Sequence, residues 1–141
     1  MRRHFAWVVL ALFLFSSLSG AAVAQTGHVA TDATVTNPND GTVIAITVFQ
    51  PAGASSAAPA PVVLESHGWG GSRSTTIGGD VADFLDAGIG VVSIDQRGHG
   101  ESGGQANVQD PDLEAEDIQA VIDYIAALDW VRHDTDAAGN T

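Results

Sequence analysis

The sequence contains no cysteine and no lysine. Without cysteine, a disulfide framework, a thiolate nucleophile and cysteine-based redox chemistry are all excluded. The chain has 5 basic residues, all arginine, against 17 acidic residues, and its formal net charge is −12 over 141 residues. Such a surface repels phosphate backbones and anionic lipids, so we expect no nucleic-acid partner and no membrane-surface partner. Because 45% of the residues are hydrophobic and 16% are charged, the composition indicates a globular chain.

The N-terminus has the three parts of a secretory signal peptide. Residues 1–4 are a short basic start, residues 5–15 are an unbroken apolar run, and residues 22–24 read Ala-Val-Ala, a pattern that signal peptidase accepts. We therefore predict a signal peptide over 1–24, a domain over 25–141, and a secreted or periplasmic protein. An uncleaved membrane anchor is the alternative, although the apolar run is short for a span of about 20 residues. Export by the twin-arginine route is also left open.

Hydrophobic periodicity predicts an α/β architecture. Alternating β-branched residues predict a hairpin, and the following strand, helix and strand predict a βαβ unit with parallel strands. The predicted strands are 28–36, 43–49, 62–66 and 90–94, and the predicted helices are 77–87 and 112–128. Thr75 or Thr76 is expected to cap the first helix, and Gly88 is expected to end it. No strand is predicted after the last helix, so we expect an incomplete sheet with an unpaired edge strand.

Two glycine-rich loops directly follow the two buried strands. The first is the His-Gly-Trp-Gly-Gly turn at 67–71, and the second is the loop at 95–104. Ligands of open α/β sheets bind at this end of the strands. We expect Asp95 and Arg97 to pair with each other and fix the second loop. The residues expected to shape the site are His67, Gly68, Gly70, Asp95 and Arg97.

As a pair, these loops resemble those of the α/β-hydrolase superfamily. The fuller strings at 62–74 and 94–104 are similar to secreted serine hydrolases related to X-Pro dipeptidyl-peptidases and cocaine esterase. The resemblance covers roughly 41–130 and implies the N-terminal part of an α/β-hydrolase fold. It implies that a small-molecule ester or a peptide is cleaved by acyl transfer to serine, without a cofactor. It also implies that the peptide N–H of Trp69 is an oxyanion-hole donor. A dienelactone-hydrolase-like or lipase-like branch is left open.

Residues 100–104 match the G-x-S-x-G pattern of a serine nucleophile, with Ser102 at the centre. A nucleophile elbow needs a strand directly before the serine and a helix directly after it. Ser102 lies eight residues past Ile94 in a glycine-rich loop, so we interpret it as a false match. The resemblance implies that the nucleophile, the acid and the histidine of the triad lie beyond Thr141. In this chain, the only histidine that follows Ser102 is His133. We therefore expect no catalytic residue in this chain and no activity of the chain alone.

Other interpretations of single residues are weighed against these. His67 as a general base is one alternative, but a hydrogen bond within its turn is the favoured interpretation. A metal site built from His67, His99 and His133 is not expected, because no pair of them has ligand spacing. The acidic residues of the last helix are interpreted as a solvated face. The alternative to an enzyme is a secreted binding module that pairs its sheet edge with a partner strand.

Overall fold

The computed structural model describes residues 27–108 and 110–135. Its elements, in chain order, are β1 (Val29–Thr36), β2 (Val43–Gln50), β3 (Val62–Ser66), α1 (Gly79–Asp86), β4 (Gly90–Ile94) and α2 (Glu114–Ala126). The predicted signal peptide and its cleavage site lie outside the described residues. Within 27–108 and 110–135, no helix is both long enough and apolar enough to cross a membrane.

The strands form one mixed sheet in the order β1-β2-β4-β3. β1 and β2 are the predicted antiparallel hairpin, in register from Val29 opposite Gln50 to Thr36 opposite Val43. β2 is also antiparallel to β4, whereas β3 and β4 are parallel, as a βαβ unit requires. The carboxyl ends of β3 and β4 therefore meet at one edge of the sheet, and the two glycine-rich loops start there.

Each helix covers one face of the sheet. Because successive strand residues point to opposite faces, β2 and β4 contribute to two separate cores. On one face, Phe49 and Val91 pack against Val81 and Leu85 of α1. On the other face the buried cluster comprises Ile44, Ile46, Val48, Ala60, Val92, Ile94, Val121 of α2 and Trp130. Burial on both faces explains why β4 is apolar along nearly its whole length.

The start of α1 differs from the prediction, and its end agrees with it. Gly78 is the N-cap residue and no side chain caps the helix, so the predicted cap at Thr75 or Thr76 is wrong. A capping side chain belongs to the N-cap residue itself, and here that residue is Gly78, two residues after Thr76. Gly88 has a φ of 78° and ends the helix. Only glycine adopts that conformation without strain.

The sheet is incomplete in the described part of the chain, as predicted, and β3 is one of its two edge strands. A single bridge that was not predicted joins the chain after α2 to the segment before β3. Ala60 donates its N–H to the Trp130 carbonyl at 2.9 Å, and Arg132 donates its N–H to the Ala60 carbonyl at 2.8 Å. Ala60 and Val131 thereby pair in parallel. The chain after α2 thus lies beside the start of β3.

Candidate active site

His67 joins the turn after β3 to the loop after β4. Its Nδ1 lies 2.7 Å from the Gly68 carbonyl oxygen, and its Nε2 lies 3.1 Å from the Gln96 peptide nitrogen. Because the peptide N–H of Gln96 donates, Nε2 accepts, and Nδ1 is then the protonated nitrogen that donates to Gly68. Both ring nitrogens are engaged, so the imidazole connects two loops in this arrangement.

Trp69 stands at the tip of the same turn. The residue is 83% exposed. Gly70 has a φ of 74°, and Gly71 donates its N–H to the Gly68 carbonyl at 3.0 Å, which closes the turn around Trp69. Among the described residues, no carbonyl or side chain accepts the Trp69 peptide N–H. At the carboxyl edge of the sheet, the turn therefore presents a peptide donor that has no partner in the described part of the chain.

Aromatic rings provide a second contact between the two loops. The ring centroids of His67 and His99 are 5.0 Å apart with the ring planes tilted by 52°, and the centroids of Trp69 and His99 are 5.5 Å apart in a T-shaped arrangement. Edge-to-face geometry is the favourable arrangement for such rings. Within the described part of the chain, no three histidine or acidic residues are grouped in a way that could hold a metal ion.

Asp95 is buried at the end of β4, and its partner is Arg73. Its Oδ1 accepts the Arg73 peptide N–H at 2.6 Å, and its Oδ2 accepts Nη1 of the Arg73 side chain at 2.5 Å. Oδ2 also accepts the Glu101 peptide N–H at 2.9 Å. The predicted pair of Asp95 with Arg97 is therefore wrong. The chain turns at Gln96, whose carbonyl accepts the His99 N–H, so the two side chains leave the loop in different directions.

The Arg73 and Asp95 side chains are both charged despite their burial. Burial opposes ionisation of Asp95, but the peptide N–H groups of Glu101 and Arg73 and the Arg73 guanidinium outweigh it and lower the pKa of the carboxyl. Burial also disfavours the charged form of Arg73, yet hydrogen bonds to Glu101 and Asp95 raise its pKa above the ordinary value. The pair is thus an ion pair at neutral pH.

Arg97 is buried on the α2 side, where it binds two carboxylates. Nε and Nη2 donate to the two oxygens of Asp117, each at 2.8 Å, and Nη1 donates to Asp40 at 2.5 Å. Hydrogen bonds to Asp117 and then to Asp40 raise the pKa of Arg97, and the hydrogen bond from Arg97 lowers the pKa of Asp40. Asp117 is 3% exposed, so the interpretation of the acidic residues of α2 as a solvated face is wrong for it.

The Ser102 hydroxyl links the second loop to the sheet. It donates to the Asp95 carbonyl at 2.6 Å and accepts the Ala45 peptide N–H at 2.8 Å. Gly103 adds a backbone bond, with its N–H donating to the Val43 carbonyl at 2.8 Å. The proton of the hydroxyl and one of its lone pairs are therefore engaged in contacts that hold the loop against β2.

A comparison with known protein families decides where the chain belongs. Residues 40–140 match the family described as X-Pro dipeptidyl-peptidase (S15 family). The chain belongs to this family. The matched range contains both glycine-rich loops and both buried arginine pairs. The predicted resemblance to X-Pro dipeptidyl-peptidases is thereby confirmed.

Two known proteins match part of this S15-family chain in sequence. It is 30% identical over 98 residues to an uncharacterized protein of Escherichia coli strain K12, a match that spans 68% of this chain and 32% of that protein. It is 39% identical over 66 residues to a bifunctional esterase/perhydrolase of Acinetobacter calcoaceticus, which spans 47% of this chain and 24% of that protein. The chain thus covers a third or less of the length of these relatives.

Solved structures show the same fold. A CocE/NonD family hydrolase from Staphylococcus aureus matches with a TM-score of 0.51 at 24% sequence identity, over 72% of this chain and 20% of that chain. The mixed sheet with its two helices is therefore part of an α/β-hydrolase fold, which confirms the predicted fold class. S15 membership and these likenesses indicate a hydrolase fold of the esterase or peptidase type.

Sequence reasoning missed three residues that hold the loops of this S15-family site: Arg73, Asp117 and Asp40. A signal for Asp117 was present, because it lies four residues before the buried Val121 and so shares its helix face. A buried acidic residue needs a cationic partner, and the chain offers few cations. No local pattern identified Arg73, since its partner Asp95 lies 22 residues away.

Proposed function

We propose that these 141 residues are the N-terminal part of a secreted serine hydrolase that cleaves ester or peptide bonds by acyl transfer. The observation that carries this proposal is the Trp69 peptide N–H, which meets no acceptor among the described residues and stands just past the end of β3. Membership in the S15 family and the hydrolase fold support it.

Trp69 acts electrostatically in this proposal. When a nucleophile attacks an ester or amide carbonyl, the oxygen becomes negatively charged, and a preformed N–H donor stabilises that charge. His67 connects Gly68 to Gln96, so the turn is held in place before substrate arrives. The donor belongs to the backbone, and the indole ring of Trp69 is not needed for this contact.

The nucleophile is proposed to lie beyond this chain, on a further strand beside β3. Ser102 is a poor candidate, because its hydroxyl already binds the Asp95 carbonyl and the Ala45 N–H. The parallel bridge between Ala60 and Val131 brings the chain after α2 beside the residues that lead into β3. An elbow at the end of such a strand brings a serine to the edge where Trp69 stands, with the acid and histidine of a triad following later.

Secretion is part of the proposal and is supported by residues 1–24. We expect the mature protein to begin at Gln25 and to occur in the periplasm or the medium. Mass spectrometry of the N-terminal peptide, combined with fractionation, tests this expectation. A protein that retains Met1 and sediments with membranes would identify the uncleaved anchor instead.

The hydrolase proposal is tested by comparing the 141-residue chain with the product of its full reading frame. We expect the frame to continue into a G-x-S-x-G elbow between a strand and a helix. Its product should hydrolyse p-nitrophenyl acetate and react with a fluorophosphonate, and the 141-residue chain should do neither. Labelling of the 141-residue chain that is abolished by Ser102→Ala would overturn the proposal.

The role of Trp69 has its own matched pair of variants. In the full-frame product, Trp69→Pro removes the peptide N–H and should lower kcat by about 10²–10³-fold. Trp69→Ala keeps the N–H and should retain most of kcat. Equal losses in the two variants would assign the effect to the indole and reject the oxyanion role.

If the frame ends at Thr141 and the soluble chain binds an extended peptide along β3, the protein is a binding module.

A further inference from the structure

The turn between β1 and β2 contains Asp40–Gly41, the one place in the sequence where an aspartate or asparagine precedes glycine. Such a pair is chemically reactive, because glycine has no side chain to hinder attack of its nitrogen on the preceding carboxyl. The fold requires both residues at this turn. Gly41 has a φ of 75°, which other residues adopt only with strain, and the Asp40 carboxylate pairs with Arg97.

In the closed turn, hydrogen bonds engage both reacting groups. Oδ1 of Asp40 accepts the Thr42 peptide N–H at 2.9 Å, and Oδ2 accepts the Thr42 hydroxyl at 2.9 Å and Nη1 of Arg97 at 2.5 Å. The bond from Arg97, followed by the bond from the Thr42 backbone, lowers the pKa of Asp40, and an ionised carboxyl resists nucleophilic attack. The Gly41 N–H donates to the Asn37 carbonyl at 3.0 Å, which holds the nitrogen in the turn.

We propose that Asp40–Gly41 is a site of spontaneous isomerisation to isoaspartate, which the fold blocks for as long as the turn stays closed. Local opening breaks the bonds to Thr42, Arg97 and Asn37 together, and only the opened turn reacts. The site depends on this turn alone and not on the proposed hydrolase activity.

The reaction needs only water. In the opened turn, the Gly41 nitrogen attacks Cγ of the protonated Asp40 carboxyl and forms a bond to it. The carboxyl O–H leaves as water with the proton of that nitrogen, which gives a succinimide ring. A water molecule then breaks the bond between the nitrogen and the former main-chain carbonyl carbon. The main chain of the product runs through Cγ, and a free carboxylate is attached to Cα.

The product cannot rebuild the original turn. Its main chain is one carbon atom longer between residues 40 and 41, and its carboxylate no longer stands on Cβ, so Arg97 loses this partner and keeps Asp117. The hairpin beside the turn also holds the second glycine-rich loop, because the Val43 carbonyl accepts the Gly103 N–H at 2.8 Å. Isomerisation therefore loosens that loop permanently.

Ageing of the full-frame product at neutral pH tests the site. The protease Asp-N cuts before aspartate and not before isoaspartate, so a modified chain resists the cut at residue 40 without a change in mass. In urea that unfolds the protein, isoaspartate should form at residue 40, and in native buffer it should form at least about tenfold more slowly. Equal rates in the two buffers, or no isoaspartate in urea, would overturn the proposal.

A matched pair of threonine variants tests the contacts that close the turn. Thr42→Val removes the hydroxyl that binds Asp40 and Arg97, and should speed the reaction in native buffer at least about threefold. Thr34→Val makes the same change at an exposed position of β1, where the hydroxyl has no hydrogen bond within the described residues, and should leave the rate unchanged. The same rate in both variants would reject the role of these contacts.

Limited proteolysis measures the effect on the second loop. In modified protein that has been separated by chromatography, trypsin should cut after Arg97 at least about threefold faster than in unmodified protein. The cut after the half-exposed Arg132 is the internal control and should keep its rate. An unchanged rate at Arg97 would show that isomerisation does not loosen the loop.

Discussion

Arg73 and Asp95 form a buried ion pair that connects the turn after β3 to the end of β4. Arg73 donates to Asp95 from its peptide N–H and from its guanidinium, and the two side chains are 5% and 1% exposed. The same guanidinium donates to Thr47 on β2 and to Glu101 in the second loop. One arginine therefore connects the central strands to both loops of the candidate site.

Replacing this arginine should destabilise the fold strongly. Arg73→Met leaves the Asp95 carboxylate buried without its counter-charge, so we expect a loss of about 3–5 kcal/mol in the free energy of unfolding. Arg132→Met is the matched control, because Arg132 is 49% exposed and pairs with an exposed Asp134. That variant should lose less than about 1 kcal/mol in urea denaturation. Adding Asp95→Asn to Arg73→Met removes the unpaired charge and should restore part of the lost stability. If the double variant is no more stable than Arg73→Met alone, the two residues are not coupled as described.

The same network predicts sensitivity to acid. The pKa values of Asp95 and Asp40 are lowered in the folded chain. Their stabilisation is therefore fully present above the unfolded-state value of about 4 and is lost as the pH falls through the lower folded-state values. We expect the free energy of unfolding to decrease steadily below about pH 4. Asp40→Asn should make this decrease shallower, and Asp83→Asn, at an exposed position of α1, controls for the loss of one charge.

Gly100 should not tolerate a side chain. Its φ is 51°, and an added Cβ would overlap the Asp95 carboxylate. Gly100→Ala therefore combines backbone strain with displacement of a buried ion pair, and we expect a loss of about 3 kcal/mol. Gly53→Ala isolates the strain, because Gly53 has a φ of 83° and nothing lies within 4 Å of its added Cβ. Equal melting temperatures for the two variants would contradict the role of the Asp95 contact.

Ser102→Ala should affect stability and leave catalysis unchanged. The change removes the acceptor of the Ala45 N–H and the donor to the Asp95 carbonyl, so we expect a loss of about 1–3 kcal/mol. Thermal denaturation of the 141-residue chain measures the loss. In the full-frame product below its melting temperature, kcat for p-nitrophenyl acetate should equal that of the unchanged protein. A kcat reduced by several orders of magnitude would identify Ser102 as the nucleophile.

The strands and helices were predictable because their signals are local. The alternation in β2, the apolar run of β4 and the conformation of Gly88 each depend on a few neighbouring residues. The partners of Asp95 and Arg97 were not predictable, because they depend on how the loop turns and on residues as far apart as the turn after β1 and helix α2. Asp117 was misassigned because acidic residues on a helix usually face water, whereas here a buried arginine stabilises one of them.

The burial of two arginines has a consequence for proteolysis. Trypsin cuts after lysine or arginine in chain that can extend into its active site, and this sequence has no lysine. Of the arginines in the described residues, Arg73 and Arg97 are buried in ion pairs, and Arg132 is half exposed. In the native protein, cleavage within 27–135 should therefore begin at Arg132. Cuts at Arg73 or Arg97 require the ion pairs to open, so the rate of those cuts reports how often the site loops come apart.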